Sequence, residues 1–192
     1  MNRRTLIVLS LLVTLLMGLV GCNSPQTAPE SSDSTGFQAM AVNTWETKSL
    51  GGFSNVAVYT PSTTSAIGPS GKQALLIVLH GCTQAYTAFK TANLETVATQ
   101  YGMVIAAPDA QYKAGFQCWD YWGATKSRTS GDYANLINLA KYFTTNANVD
   151  PAQVYIAGLS SGGAFAMTTA CLAPDIFAGM RSEEHTSELQ SP

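Results

Sequence analysis

Histidine is nearly absent from this chain: His80 and His185 are the only two in 192 residues. Charge is sparse too, with 11% Asp, Glu, Lys and Arg and a net charge of −2. So few basic residues leave no electrostatic footprint for a nucleic-acid backbone. No His/Cys cluster has metal-ligand spacing, so the sequence implies no metal and no organic cofactor. No segment repeats, which removes solenoids and propellers. Low charge is not low order, because 46% of the residues are hydrophobic. That is enough for one globular domain with a real core.

The long apolar run falls short of a comfortable membrane span. Leu6 to Val20 follows Asn2-Arg3-Arg4, and an apolar run of that length behind a positive start reads as a secretory signal. It closes in Leu19-Val20-Gly21-Cys22. This resembles the lipobox of bacterial lipoproteins, whose cysteine is lipidated, so the expectation is a membrane anchor on Cys22. An ordinary signal peptide with an incidental cysteine is the alternative, and either way the product is exported. Residues 1–22 are assigned to the signal and 23–40, rich in Ser, Thr and Pro, to a flexible linker. Cys82, Cys118 and Cys171 remain. Export permits disulfides, and an odd count leaves one thiol free or its partner outside the chain.

Residues 41–180 carry the pattern of a folded domain. Phe53 to Pro61 is rich in β-branched and aromatic residues and ends at a proline, as a strand does. Ala74 to Gly81 and Met103 to Asp109 are continuous apolar runs, expected of strands covered on both faces. Leu94, Val97, Ala98 and Tyr101 form one helical stripe. Tyr133, Leu136, Ile137, Ala140 and Phe143 form a second, in a helix expected over Asp132 to Asn148. Asp150-Pro151 reads as a break, Gln153 to Gly158 as a strand, and Ser161 to Cys171 as a helix of small residues. Strand–helix alternation predicts an α/β fold with a mostly parallel sheet.

The chemistry is concentrated at Gly158-Leu159-Ser160-Ser161-Gly162, which matches the G-x-S-x-G elbow between a strand and a helix. The turn is strained, and glycines two positions either side avoid collision with the flanking elements. Its hydroxyl points to a helix N-terminus, where backbone N–H groups favour developing negative charge. Ser160 is therefore the candidate nucleophile. Ser161, the rival in the motif, lacks glycines at both positions. A second N–H donor is expected from the loop after the earlier strand, at His80-Gly81-Cys82-Thr83-Gln84. The backbone amides of Cys82 and Ser161 are the candidate oxyanion donors.

LIVLHGCTQ, CWDYW, SGDYANL, VDPAQVYIAGLSSGGAFA and APDIFAG, in that order, together resemble the poly(3-hydroxybutyrate) depolymerase-type esterases. These are α/β-hydrolases related to feruloyl and acetylxylan esterases. The resemblance runs from about Phe53 to Met180 and implies the α/β-hydrolase fold, N-terminal portion only, with later strands missing. It implies ester hydrolysis by an exported enzyme on a polyester or an acylated polysaccharide. It makes Cys118 a candidate disulfide partner for Cys82, with buried free thiols the alternative. It also suggests that at least one of Trp119, Tyr121 and Trp122 lines the acyl cleft, although a Trp beside a cysteine is as readily core. Asp132 reads as a helix cap or a turn anchor, not as a catalytic group.

A serine nucleophile needs a base, and neither histidine fits. His80 ends the strand that supplies the oxyanion loop, whereas the base must approach from the leaving-group side. His185 lies in RSEEHTSELQSP, where the apolar pattern has stopped. That string reads as the in-frame translation of a sequencing-library adapter, so 181–192 is set aside as artefact. In this fold the acid and then the histidine follow the serine, and Asp175 follows too closely to serve. The expectation is a fragment that carries the nucleophile and is inactive by itself. A non-catalytic surface lipoprotein on the same fold is the alternative.

Overall fold

A computed structural model describes residues 40–69 and 71–183. The signal, Cys22, most of the linker and His185 lie outside them. Strands β1 (Trp45–Leu50) and β2 (Phe53–Tyr59) form a hairpin. Then come β3 (Gln73–Leu79), a 3₁₀ turn (Tyr86–Thr91), α1 (Leu94–Tyr101) and β4 (Met103–Pro108). A two-stranded excursion, β5 (Lys113–Ala114) and β6 (Cys118–Trp119), precedes α2 (Gly131–Asn146). The described chain ends with β7 (Val149–Leu159), α3 (Ser161–Leu172) and β8 (Gly179–Glu183).

Six strands make the main sheet in the order β1-β2-β4-β3-β7-β8. The β1/β2 and β2/β4 pairs are antiparallel, and β4/β3, β3/β7 and β7/β8 are parallel. From β3 the chain first crosses to β4 on one side and later to β7 on the other. That reversal opens a crevice beyond the carboxyl ends of β3 and β7, where ligands bind in open α/β sheets.

The helices cover both faces. Tyr133, Leu136, Ile137, Ala140 and Phe143 of α2 are all buried, packed with Leu75, Ile77, Leu79 and Ile156. α1 departs from its stripe: Ala98 is buried, but Val97 and Tyr101 are exposed. An eight-residue helix packed on β4 buries only the part of its stripe that meets that strand. Asp150-Pro151 is not a break. β7 runs through it as a bulge, the register passing from Gln73↔Val149 to Leu75↔Val154. β8 begins where APDIFAG leads and continues through Arg181, Ser182 and Glu183 beside Ala157, Gly158 and Leu159. Main-chain pairing asks little of side-chain identity, so the strand passes the end of the apolar pattern.

Candidate active site

Ser160 lies between β7 and α3 with φ 52° and ψ −121°, a region that non-glycine residues enter only under strain, at about 1–3 kcal/mol. A serine at a helix N-cap ordinarily bonds back to the first turn, but the Ser160 side chain makes no such bond. Its residue is exposed, so the hydroxyl faces the crevice. The backbone is held instead. The Ser160 N–H donates to the Glu183 carbonyl at 2.9 Å, and the Ala164 N–H donates to the Ser160 carbonyl at 3.1 Å.

The flanking glycines meet backbone, not side chains. A Cβ on Gly158 would overlap the Gly162 carbonyl and lie 2.7 Å from the Gly163 nitrogen. A Cβ on Gly162 would overlap the His80 carbonyl and lie 2.6 Å from that of Leu79. Backbone cannot swing aside as a side chain can. Glycine at these positions is what lets α3 start against the end of β3.

That contact brings the second donor into place. In the loop after β3, the Gly81 N–H donates to Gln84 Oε1 at 2.7 Å. The Thr83 N–H donates to the Phe116 carbonyl at 2.8 Å, and the Gln84 N–H to the Gly81 carbonyl at 3.3 Å. Among the described residues the Cys82 N–H has no acceptor. Ser161, at the first position of α3, has none within its helix by geometry. These are the two amides that the sequence pattern nominates. Gln84, which no sequence signal separated from the rest of the motif, closes the loop on Gly81.

His80 aims one of them. Its ring is fully buried and packs, tilted, against Trp119 with the ring centres 5.5 Å apart. Nδ1 lies 2.9 Å from the Gly81 carbonyl oxygen, which only accepts, so Nδ1 carries the proton. Nε2 then accepts the Ala110 N–H at 3.4 Å. Burial lowers the His80 pKa, with the Gly81 carbonyl opposing, so the ring is neutral at pH 7. Both ring nitrogens are thereby engaged within the protein. Because a trans peptide sets C=O and N–H in opposite directions, holding the Gly81 oxygen turns the Cys82 N–H the other way. Asp109 approaches Nε2 at 3.4 Å but pairs with Lys113 at 2.9 Å.

Cys82 and Cys118 are joined by a disulfide, which fastens the oxyanion loop to the β5–β6 excursion. Cys171 is a free, exposed thiol. Ser160, Ser161, Cys82, Cys118, Tyr121, Trp122 and Ala164 line one depression of about 620 Å³. Trp119 requires correction: it is not in that lining but fully buried, against Phe53, His80 and Phe165. Being next to the tethered Cys118 on β6 turns its ring inward, and the chain emerges only at Tyr121 and Trp122. Asp132 does not cap its helix, where Ser130 holds the N-cap. Its buried carboxylate accepts the N–H groups of Gln111 and Tyr112, each at 3.0 Å, and the Asn135 amide. Burial raises its pKa. Asp175 is away from the site, paired through both oxygens with Arg128 at 2.6 and 2.7 Å.

The family model described as Esterase PHB depolymerase matches residues 55–187. The chain belongs to this family. The poly(3-hydroxybutyrate) depolymerase of Ralstonia pickettii is 42% identical to this PHB depolymerase-family chain over 147 residues, covering 71% of the chain and 30% of that protein. Acetylxylan esterase A of Talaromyces purpureogenus is 27% identical over 107 residues, covering 54% and 28%. Among solved structures, the acetyl xylan esterase from Aspergillus awamori superposes with a TM-score of 0.59 at 19% identity, over 71% of this chain and 50% of that one. The fold is therefore that of the α/β-hydrolases, and the chain spans less than a third of the length of the two curated relatives.

Proposed function

We propose that this chain carries the nucleophile and the oxyanion hole of an exported serine esterase. One observation carries the reading. An exposed serine in a strained turn shares a cavity with an N–H that the surrounding loop leaves unpaired. Ser160 Oγ attacks the ester carbonyl while the amides of Cys82 and Ser161 receive the developing oxyanion. A histidine, oriented by an acid, accepts the serine proton and returns it to the leaving alcohol. Water then releases the acid product and restores the serine. Neither His80, committed on both nitrogens, nor His185 supplies that base. We assign the acid and base to sequence outside these residues, so the 192-residue chain alone is inactive.

The substrate we favour is a polyester of 3-hydroxy acids, on the 42% identity to an enzyme of that name. An acetylated polysaccharide is the second reading, supported by the acetylxylan esterase relative. Export and anchoring through Cys22 rest on the N-terminal pattern. The test is initial-rate hydrolysis of a soluble aryl ester, polyester film and acetylated xylan by the protein expressed from its source locus. Ser160→Ala should lower turnover by roughly four orders of magnitude or more. Turnover that survives the substitution would overturn the mechanism, and preference for xylan over film would overturn the substrate.

A further inference from the structure

Gly81 to Gln84 form a turn, closed by the Gln84 N–H on the Gly81 carbonyl at 3.3 Å. Thr83, at its third position, has φ 61°. That place ordinarily belongs to glycine or asparagine, and a β-branched residue enters it only under strain. Thr83 is exposed, so packing of its side chain does not force the backbone there. Hydrogen bonds hold it instead.

They reach the turn from three sides. His80 Nδ1–H donates to the Gly81 carbonyl at 2.9 Å, and the Thr83 N–H donates to the Phe116 carbonyl at 2.8 Å. The shortest of the three runs from the Gly81 N–H to Gln84 Oε1, at 2.7 Å. His80 is buried and Phe116 contributes main chain, so Gln84 alone holds the turn through an exposed side chain. Gln84 thus grips Gly81 at both its N–H and its carbonyl. A Cβ on Gly81 would lie 2.9 Å from Gln84 Oε1 and 3.3 Å from the Leu159 carbonyl. Gly81 therefore sits against both Gln84 and the residue that precedes Ser160.

We infer that Gln84 is a positioning residue of the oxyanion hole: its amide oxygen holds a strained turn so that the Cys82 N–H stays aimed into the Ser160 depression. The inference rests on the esterase reading above. Cys82 stands between Gly81 and Thr83, whose N–H groups are both bonded, while its own N–H has no acceptor among the described residues. Peptide units are rigid planes, so holding the units on either side fixes the direction of the N–H between them. A donor aimed before the substrate arrives costs no reorganisation in the transition state. Released from Gln84, Gly81 regains the wide backbone freedom of glycine. Thr83 then relaxes toward negative φ, and the donor loses its aim.

The experiment measures kcat and KM for a soluble aryl ester with the protein expressed from its source locus. Gln84→Met keeps the length of the side chain and removes the acceptor. It should lower kcat about tenfold or more, short of the loss of a whole donor. KM should stay within about twofold, because the hole acts on the transition state. Phosphonylation of Ser160 by a fluorophosphonate, whose phosphoryl oxygen enters the same hole, should slow by a similar factor. In a Thr83→Gly background the strain is absent, so Gln84→Met should cost only about twofold in kcat. Both side chains are exposed, so these substitutions leave the core intact. An undiminished kcat in Gln84→Met, a change confined to KM, or the same loss with and without Thr83→Gly would each overturn the inference. The esterase reading fails separately, on turnover that survives Ser160→Ala. Turnover abolished by Ser160→Ala but indifferent to Gln84→Met would overturn the inference and leave that reading standing.

Discussion

Gly158, Ser160 and Gly162 show how much one pentapeptide can dictate. The two glycines are required because each would drive a Cβ into backbone. Gly162→Ala should therefore destabilise the domain by about 3 kcal/mol or more, measured by denaturant unfolding; a loss below about 1 kcal/mol would contradict the close approach. His80 gives a prediction in pH. Its folded-state pKa is lowered by burial, so between that value and the ordinary one near 6.5 the unfolded chain binds the extra proton. Stability should fall as pH drops below about 6.5, and His80→Gln should flatten that part of the profile. The elbow was legible because a steric rule ties residue type to backbone shape. Trp119 was not, since a Trp beside a cysteine faces core or cleft according to how the excursion is tethered. Gln84 was invisible in its role because a side chain closing on a backbone N–H three residues earlier leaves no periodic trace.

Elements differ in how far their own sequence specifies them. The α2 stripe matched burial residue by residue because a long helix crossing the sheet must bury a full face. The α1 stripe has the same spacing, yet this eight-residue helix is short and leaves two members in water. Periodicity says which residues share a face, not how much sheet that face will find. Between elements, the Arg128–Asp175 pair ties the segment before α2 to the end of α3, with Arg128 also donating to the Leu172 carbonyl at 3.0 Å. Arg128 holds the Asp175 carboxyl down to about 2. A depressed carboxyl pKa stabilises above the unfolded value and loses that contribution as pH falls through the folded one. Asp175→Asn should thus lower the Tm slightly at pH 6 and by less at pH 2, where the carboxyl is about half protonated; the loss is slight because the pair is solvent-exposed and screened. An equal loss at both pH values would assign the effect to packing instead.

For the whole molecule, an α/β sandwich was legible from strand–helix alternation, but the strand order was not. Nothing local in β3 announces that β4 will pair on one side and β7 on the other, yet that reversal creates the crevice. At the far side, β8 pairs only with β7 among the described residues, and Leu76, Tyr155, Ala157 and Met180 line an adjoining groove of about 220 Å³. An unpaired, partly apolar edge invites association. Light scattering should show the 192-residue chain self-associating as concentration rises, and a monomer at all concentrations would contradict this. Reading the source DNA across the Met180 codon should show a frame that continues through further α/β pattern to an Asp and then a His. A native frame without that histidine would favour the binding-lipoprotein reading.

Covalent trapping decides whether Ser160 is the nucleophile. The protein expressed from its source locus would be treated with a fluorophosphonate ester, digested, and the adduct mapped by mass spectrometry. A nucleophilic Ser160 should carry a single adduct, formed in proportion to loss of ester turnover and absent from Ser160→Ala. An adduct on Ser161 or another serine, or complete inactivation with Ser160 unmodified, would contradict it.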